Sequence, residues 1–406
     1  MDIDRDVIIA GAGPVGLAAA LALAREGAAV TLAGQTAHEA SGRTVALFDG
    51  SVRLLAELGV WKKLAPCAAP LRRLRIIDDT DNLFRWRPLS FEAAEIGLDA
   101  FGWNVEAGAL TDALRRVAEA VPGIRLIDAL ALEPRFAEAG ASLLVEGRRL
   151  EAALIVAADG QRSRLRQAAG IAARFQRLPQ WALTGILRHE LPHDDVSTEF
   201  HTRGGPCTLV PLPRLERGRA AEGDGSALEQ MSSFVWMLQS PEAEELKALD
   251  DVAFALAVER RVHSILGKMQ VAGRPRGAIP LSCAQVERIC GPRLALVGEA
   301  AHAFPPIGAQ GLNLGLRDVT ELVTLVGEAL RDGRDIGAPA LLDAYDRARR
   351  MDIATRTAAV NLMNRSLLSS FLPIDFARGV GMAALDLIGP LRRLVMREGV
   401  APGFGR

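Results

Sequence analysis

The feature that most constrains the fold is an apolar run that ends directly in a glycine-rich turn, close to the start of the chain. Val7 to Ala10 is followed by Gly11-Ala12-Gly13-Pro14-Val15-Gly16, and an alanine-rich stretch continues to Glu26. Because the glycines and Pro14 interrupt the apolar segment, the pattern predicts a buried strand, a tight turn and a helix rather than a membrane span. Ala29 to Ala33 is typical of a second, parallel strand, which completes a βαβ unit.

The glycines of this turn have separate expected roles. Gly11 permits the tight turn, Gly13 lets the backbone approach a pyrophosphate, and Gly16 lets the helix pack closely on the strand. Pro14 and Val15 open the helix, whose free N–H groups and positive dipole end face the phosphates. The turn therefore predicts a dinucleotide site.

One expected partner of that site is missing. An acidic residue usually follows the second strand of such a unit and binds the ribose hydroxyls. Gly34 stands at this position, so a charge-assisted hydrogen bond of about 1.5–3 kcal/mol is absent. We expect Gln35 or backbone groups to substitute, with weaker affinity for the adenosine.

A second glycine-rich segment runs from Gly298 to Gly315. A predicted strand, Arg293 to Val297, delivers Glu299, whose carboxylate can accept hydrogen bonds from polyol hydroxyls. Small residues leave room for a flat ring on the loop backbone, and a helix is expected from Asn313 with its N–H groups at the ring edge. Two such segments suit a flavin held along its whole length better than a passing nicotinamide. The positions assigned to the ring site are Pro306, Gly308, Ala309, Gln310, Gly311, Leu312 and Asn313.

Asp159-Gly160 follows another predicted strand. An Asp-Gly pair is common in surface turns, so a turn without function is the alternative. The arginines that follow it, Arg162, Arg164 and Arg166, favour a role near the pyrophosphate.

Composition and the remaining motifs exclude several classes of function. A net charge of −1 argues against nucleic acid as a partner, and four cysteines without C-x-x-C spacing fit reduced thiols in a cytosolic protein. The six histidines do not cluster, and we find no Ser-His-Asp, H-E-x-x-H or P-loop signature. His302 is expected to be structural, and no metal site is predicted. The chemistry must therefore come from a cofactor.

The middle of the chain differs from its start. From Trp181 to Val286, β-like stretches alternate with helical ones such as Glu242 to Val258, which predicts a second, mostly antiparallel sheet. The fold class expected is α/β: a Rossmann-like FAD-binding domain of the glutathione-reductase type with an inserted antiparallel substrate domain and C-terminal helices. The expected divisions are 1–75, 100–180 and 287–340 for the first domain, 76–99 and 181–286 for the second, and 341–406 for the helical region.

Nearly the whole chain resembles the group A flavin monooxygenases, and most closely the ubiquinone-biosynthesis hydroxylases of the UbiH/UbiF type. By this resemblance, Arg43 contacts FAD near its pyrophosphate, Glu299 binds the ribityl chain, and the backbone of 308–313 contacts the isoalloxazine. Glu299 stands where the family usually has Asp, and Ala107 where a polar side chain is common. The segments that carry the resemblance are 11–16, 41–47, 102–106 with Leu110 and Leu114, Asp159-Gly160, 306–318, and Tyr345 with Arg349 and Asp352.

The resemblance implies hydroxylation of a polyprenylated phenol or quinol by O2 through a C4a-hydroperoxyflavin, with NAD(P)H or a reductase/ferredoxin system as electron donor. Pro306 and Gly308, in the flavin-ring loop, are the residues assigned to catalysis, and no acid or base is assigned. The pocket is expected between the second sheet and the flavin, although ordinary core is favoured for any single candidate wall. These candidate walls are Phe200, Leu209, Pro211, Phe234 and Trp236.

Alternatives stay open at this point. The chain could instead hydroxylate a soluble aromatic catabolite, or carry little FAD and act as a scaffold among other ubiquinone-biosynthesis proteins. Its C-terminal stretch, with Leu391, Leu394, Val395 and neighbouring arginines, fits either a membrane surface or packing on the protein or on a second copy. The expected location is cytoplasmic, with peripheral contact at the inner membrane face as one option.

Overall fold

The computed structural model of the chain describes residues 5–35, 43–80, 87–213, 230–272, 276–305, 310–368 and 372–400. The strands of these residues are β1 (Arg5–Ala10), β2 (Val30–Ala33), β3 (Thr44–Phe48), β4 (Ala69–Leu71), β5 (Arg73–Asp78), β6 (Leu89–Glu92), β7 (Gly102–Glu106), β8 (Ile124–Ile127), β9 (Leu132–Phe136), β10 (Ala141–Val145), β11 (Arg148–Ala157), β12 (Ala173–His189), β13 (Val196–Thr202), β14 (Gly205–Leu212), β15 (Gln230–Gln239), β16 (Met269–Val271), β17 (Gly277–Val286), β18 (Cys290–Gly291), β19 (Leu294–Leu296) and β20 (His302–Ala303). The helices are α1 (Pro14–Arg25), α2 (Asp49–Glu57), α3 (Trp61–Leu64), α4 (Ala107–Ala118), α5 (Arg164–Ala168), α6 (Ser240–Ala248), α7 (Asp251–Arg261), α8 (Gln310–Arg331), α9 (Pro339–Leu368), α10 (Leu372–Leu387) and α11 (Gly389–Val400).

The first sheet has a parallel centre in the order β8-β2-β1-β11-β19. Its strands are continuous apolar runs because helices cover both faces, and Val7, Ile8 and Ile9 are fully buried. Helix α1 packs against α8 and α4. Since β1, β11 and β19 are parallel neighbours, the turns that follow them lie at one edge of the sheet. This brings together three segments that are far apart in the sequence.

The second sheet has the order β20-β17-β12-β15-β14-β13-β5-β6, with β16 paired to β12. Its pairs are antiparallel, apart from β13 with β5. Two of its strands begin at Arg73 and Ala173, a few residues before the divisions expected at 76 and 181. We call the face covered by α6 and α7 the outer face, and the face that carries Ser233 the inner face.

A small sheet, β3-β7-β4, lies between the two large ones. The Oγ of Ser233, on β15, accepts hydrogen bonds from Thr44 at 2.7 Å and from the Asn104 amide at 3.2 Å. The inner face of the second sheet is therefore bonded to the strands that follow Arg43.

The expected α/β architecture is confirmed, and two helix boundaries were wrong. The stretch Glu242 to Val258 is two helices, because the Asp250 side chain caps α7 by accepting from the N–H of Ala253 at 2.7 Å. Helix α8 begins at Gln310 rather than at Asn313. Among the described residues, every helix is too short or too polar to cross a bilayer.

Candidate functional site

The two glycine-rich segments, which are far apart in the sequence, contact each other in the fold. A Cβ at Gly298 would lie 3.2 Å from Cγ2 of Val15, and one at Gly315 would lie 2.9 Å from the same atom. The start of α1, the turn after β19 and the second turn of α8 thus pack together with no space for larger residues. One extended molecule can therefore reach from the first segment to the second.

The turn after β1 is shaped by close backbone contacts. Gly11 has φ +116°, a conformation that favours glycine, and a Cβ there would lie 2.2 Å from the carbonyl oxygen of Ala158. A Cβ at Gly16 would lie 1.9 Å from the carbonyl oxygen of Gly11. Gly13 differs, because a Cβ there would meet no atom of the described residues within 4 Å. The space in front of Gly13, at the N-terminus of α1, is where a phosphate group would fit.

The structure explains why a glycine stands at position 34. A Cβ on Gly34 would lie 2.3 Å from the backbone nitrogen of Ala12, so an acidic side chain at this point would collide with the turn. Gln35 follows it and is exposed, as its assigned role as substitute requires.

Asp159 lies at the same sheet edge, after β11. Its Oδ2 accepts from the backbone N–H of Arg164 at 2.9 Å, and its buried Oδ1 has no hydrogen-bond partner in the part of the chain that the structure describes. The arginines of this segment differ in solvent exposure: Arg162 and Arg164 are exposed, whereas Arg166 is fully buried. Arg166 is structural, because it donates to the carbonyl oxygen of Ala300 at 2.8 Å and ties this segment to the second glycine-rich one.

Not all of the ring site falls in the described part of the chain. Pro306, Gly308 and Ala309 lie outside the described residues, as do Ser41 and Gly42 before Arg43. Arg43 and Glu299 are both exposed, the latter in a 3-10 turn at the sheet edge. Gly311 has open space at its Cβ position, whereas Leu312 packs against the core.

Asn313 has a role that the sequence did not indicate. Its side chain is buried and bonded to neighbouring elements: Oδ1 accepts from Phe48 N at 2.8 Å and Ser51 Oγ at 2.7 Å, and Nδ2 donates to Ala46 O at 2.8 Å. The amide therefore fixes the start of α8 against β3 and α2. Its backbone N–H belongs to the first turn of α8, as the ring site requires.

A buried network of charged residues connects the two ends of the ring loop. His302 Nε2 contacts Asp318 Oδ2 at 2.6 Å, and the same oxygen accepts from the N–H of Gly298 at 3.0 Å. Asp318 Oδ1 accepts from Arg349 Nε at 2.8 Å, and Arg349 continues to Asp352 at 2.6 Å. Burial opposes the charge on Asp318, but His302 and Arg349 outweigh it, so its pKa lies below the usual value.

The same network reaches the start of α8. Arg356 bonds Asp352 at 3.1 Å and donates to Gln310 Oε1 at 2.7 Å. His302 is buried within this network, and Tyr345 is also buried, with its hydroxyl on the carbonyl oxygen of Leu296 at 2.8 Å. The motif containing Asp318 was visible in the sequence, but its pairing with His302 was not, because sixteen positions separate them.

Most of the candidate pocket walls are core residues. Phe200, Leu209, Phe234 and Trp236 lie on the outer face of the second sheet, in one apolar cluster with residues of α6 and α7. Their strands were identified correctly, but strand alternation directs these side chains away from the first domain. The inner face instead carries Ser233, Val235 and Met237.

The residues present at this site fit FAD. Gly13 leaves an open cradle at a helix N-terminus, the exposed carboxylate of Glu299 suits hydroxyl groups, and the contact through Val15 joins the two segments. Among the described residues, no group of His, Cys, Asp and Glu side chains could hold a metal ion.

Comparison with known proteins agrees with this geometry. The family described as FAD binding domain matches residues 4–359. Ubiquinone hydroxylase UbiL of Rhodospirillum rubrum is 33% identical over 401 residues, which cover 97% of this chain and 89% of that protein. The 3-demethoxyubiquinol 3-hydroxylase of Escherichia coli is 28% identical, with 97% of each chain covered.

Solved structures are similar over the same length. p-Nitrophenol 4-monooxygenase PnpA from Pseudomonas putida has a TM-score of 0.75 at 17% identity, with 98% of each chain covered. PqsL from Pseudomonas aeruginosa has a TM-score of 0.73 at 20% identity, covering 93% of this chain and 99% of that one. At such identities the likeness shows the fold alone. On its family match and its full-length relatives, the chain belongs to the FAD-binding group A flavin monooxygenases.

Proposed function

We propose that this protein hydroxylates the aromatic ring of a polyprenylated phenol or quinol precursor in ubiquinone biosynthesis, with FAD as cofactor. The observation that carries the proposal is the 33% identity to a ubiquinone hydroxylase over 97% of the chain. The contact between the two glycine-rich segments supports it, because the reaction requires FAD to be held from its phosphates to its ring.

In this proposal the chain binds FAD, orients it towards the substrate and excludes water from the site. The N-terminus of α1 receives the pyrophosphate at Gly13, with Arg43 beside it, and Glu299 accepts from the ribityl hydroxyls. The backbone of 308–313 supports the ring, and the network of His302, Asp318 and Arg349 holds both ends of that loop. FAD supplies the redox chemistry when it is bound, namely activation of O2 by its reduced form.

The cofactor site can be tested at Gly13. Gly13 has φ −76° and open space around its Cβ position, so Gly13→Ala should fold normally while its methyl group blocks the phosphate. We expect at least a tenfold weaker affinity for FAD, measured by flavin fluorescence on reconstitution of the apoprotein. Gly381→Ala is the matched control, since it also has open space but lies in α10, where the neighbouring Met382 packs with Phe91. Equal FAD affinity in both variants would refute the assigned site.

The pathway can be tested in a deletion strain. We expect loss of ubiquinone, accumulation of an unhydroxylated prenylated precursor, and rescue by the wild-type gene, all measured by quinone profiling. An unchanged quinone profile with NADPH oxidation stimulated by a small phenol would identify a hydroxylase of soluble aromatics. Rescue by a variant that retains no flavin would identify a scaffold.

A polyprenylated substrate resides in lipid, and we include a membrane-facing surface in the proposal. The end of α10 and the start of α11 carry apolar side chains at helical spacing that are 37–72% exposed. Arg393 and Arg397 are exposed beside them. The residues of this stripe are Leu387, Ile388, Leu391, Leu394 and Val395.

The opposite side of α11 is anchored to the protein. Met396 is buried with Phe91, and Arg392 bonds Glu95 at 2.7 Å while its guanidinium lies 4.5 Å from the Phe91 ring centroid. The apolar stripe is thus held outward, and an apolar stripe beside arginines suits the surface of an anionic bilayer.

Vesicle flotation tests this surface. We expect the protein to float with vesicles that contain phosphatidylglycerol and less with pure phosphatidylcholine, and Leu394→Glu to abolish flotation. Val252→Glu, on the exposed side of α7, should have no effect. Wild-type protein that stays in solution in both cases would refute the membrane-facing role, and concentration-dependent dimerisation lost in Leu394→Glu would assign the stripe to a second copy.

A further inference from the structure

Strand β13 carries an acid and a histidine on the inner face of the second sheet. Phe200 belongs to the apolar cluster of the outer face, so its neighbours Glu199 and His201 are on the inner face. The register confirms this: Glu199 pairs with Thr208, which pairs with Val235, two residues from Ser233 on β15. Glu199 therefore shares a face with the serine that bonds the strands following Arg43.

The two side chains form a buried pair with few other bonds. His201 Nε2 lies 2.7 Å from Glu199 Oε1, and the residues are only 6% and 7% exposed. A carboxylate only accepts, so Nε2–H is the donor. His201 Nδ1 is buried and has no partner among the described residues. Within the same residues, the Glu199 side chain has no hydrogen bond other than the one from His201.

Such a carboxylate can accept further hydrogen bonds. Polar groups removed from water are ordinarily fully hydrogen-bonded, and a carboxylate has two oxygens that can each accept more than one bond. The Glu199 side chain receives one bond from the described residues, and neither of its oxygens is both buried and unpartnered. Its second oxygen is therefore open to a donor, such as the hydroxyl group of a ligand on the inner face.

We propose that Glu199 accepts a hydrogen bond from the ring hydroxyl of the aromatic substrate, and that His201 is the positioning residue that orients this carboxylate. The inference rests on the proposed function, because it assigns the group that recognises a phenol or quinol at the same site. A hydrogen bond from the ring hydroxyl to a carboxylate places more electron density on the ring, which favours attack on an electrophilic oxygen. The single tyrosine of the chain cannot take this part, because Tyr345 is buried and bonded to Leu296.

The test compares a phenol with its methyl ether, which has no hydroxyl to donate. Binding of 2-geranylphenol and 2-geranylanisole to the FAD-loaded protein is followed by the change in flavin absorbance. We expect the wild type to bind the phenol about tenfold or more tightly than the ether, the range expected for a hydrogen bond to a charged group. Glu199→Leu, which has no acceptor, should bind the two equally, and Glu199→Gln, whose amide oxygen is an uncharged acceptor, should show a smaller preference. Thr198→Val, on the other face of the same strand, should keep the preference.

The role of His201 has its own readout. Gln can donate from the position of the imidazole Nε2, whereas Leu cannot donate. We expect His201→Gln to keep the preference for the phenol and His201→Leu to lose most of it at similar thermal stability. A purely structural histidine would instead show equal preferences in both variants.

Different results would contradict the role of Glu199 and the proposed hydroxylase function. If the wild type hydroxylates the phenol but binds phenol and ether equally, or if folded Glu199→Leu keeps the preference, the role of Glu199 is overturned and the function stands. If Glu199→Leu does not fold, Glu199→Gln replaces it, and an undiminished preference there also overturns the role. Failure of the wild type to hydroxylate any prenylated phenol overturns the proposed function itself.

Discussion

The two faces of the second sheet use the same strands for different purposes. On the outer face, Phe234 lies against Phe254 of α7 at 5.6 Å between ring centroids, within a cluster of apolar side chains. On the inner face, Ser233 is bonded to Thr44 and Asn104 of the small sheet. The outer face stabilises the fold, whereas the inner face joins the sheet to the cofactor-binding part.

Two buried histidines show the same contrast. His189 is on the outer face, and both of its ring nitrogens are bonded, Nδ1 to Leu191 O at 2.8 Å and Nε2 to Ser232 Oγ at 2.9 Å. His201 is on the inner face, where Nε2 bonds Glu199 and Nδ1 has no partner among the described residues. The ring of His189 is therefore fully bonded within the fold, whereas the Glu199–His201 pair is where we propose that the substrate binds.

The largest expected effect is on the outer face. Phe234→Ala should lower the free energy of unfolding by about 3–5 kcal/mol, because it leaves a cavity in a packed core. The FAD content and the ligand preference of the folded fraction should not change. Denaturant unfolding and flavin absorbance measure the two quantities, and a changed ligand preference without loss of stability would break the distinction between the faces.

A smaller effect on folding stability is expected at His189, and it should depend on pH. Burial lowers the pKa of His189 to about 4, below the ordinary value of 6.5. Between these values the unfolded chain binds the proton and the folded chain does not, so stability is complete above pH 6.5 and falls towards pH 4. The contribution is at most about 3 kcal/mol.

Denaturant unfolding of wild type and His189→Gln at pH 7 and pH 5 checks this expectation. The wild type should lose more stability than the variant between the two values. Equal losses would show that another group on the outer face accounts for the dependence.

The smallest effect is expected at Ser233. Ser233→Ala removes the acceptor used by Thr44 and Asn104, which should cost about 1–3 kcal/mol of unfolding free energy. We also expect a few-fold loss of FAD affinity, because β3 directly follows Arg43. Ser197→Ala, with one weak bond to Leu209 O at 3.4 Å, is the matched control on the same face. An unchanged FAD affinity would mean that the inner face and the cofactor site are independent.

The sequence indicated which segments form the strands of the second sheet, but it did not indicate which face of that sheet forms a packed core. Phe200 and Phe234 are large and apolar, and their residue types do not distinguish a pocket from a core. Only the positions of α6 and α7 decide which face is covered, and the sequence pattern gives no packing partner for either helix. Glu199 and His201, two positions apart, are a local signal that strand alternation could have revealed.

The amino-acid sequence alone determined the βαβ start, the turn at Gly11 to Gly16 and the family, because glycine spacing and apolar runs are local properties of the chain. The tertiary structure alone decided that Val15 meets Gly298 and Gly315, that Gly34 must be small against Ala12, and that Asp318 binds His302 and Arg349. These are contacts between distant segments, and they arise from the order of parallel strands in the first sheet, which places the ends of β1, β11 and β19 at one edge.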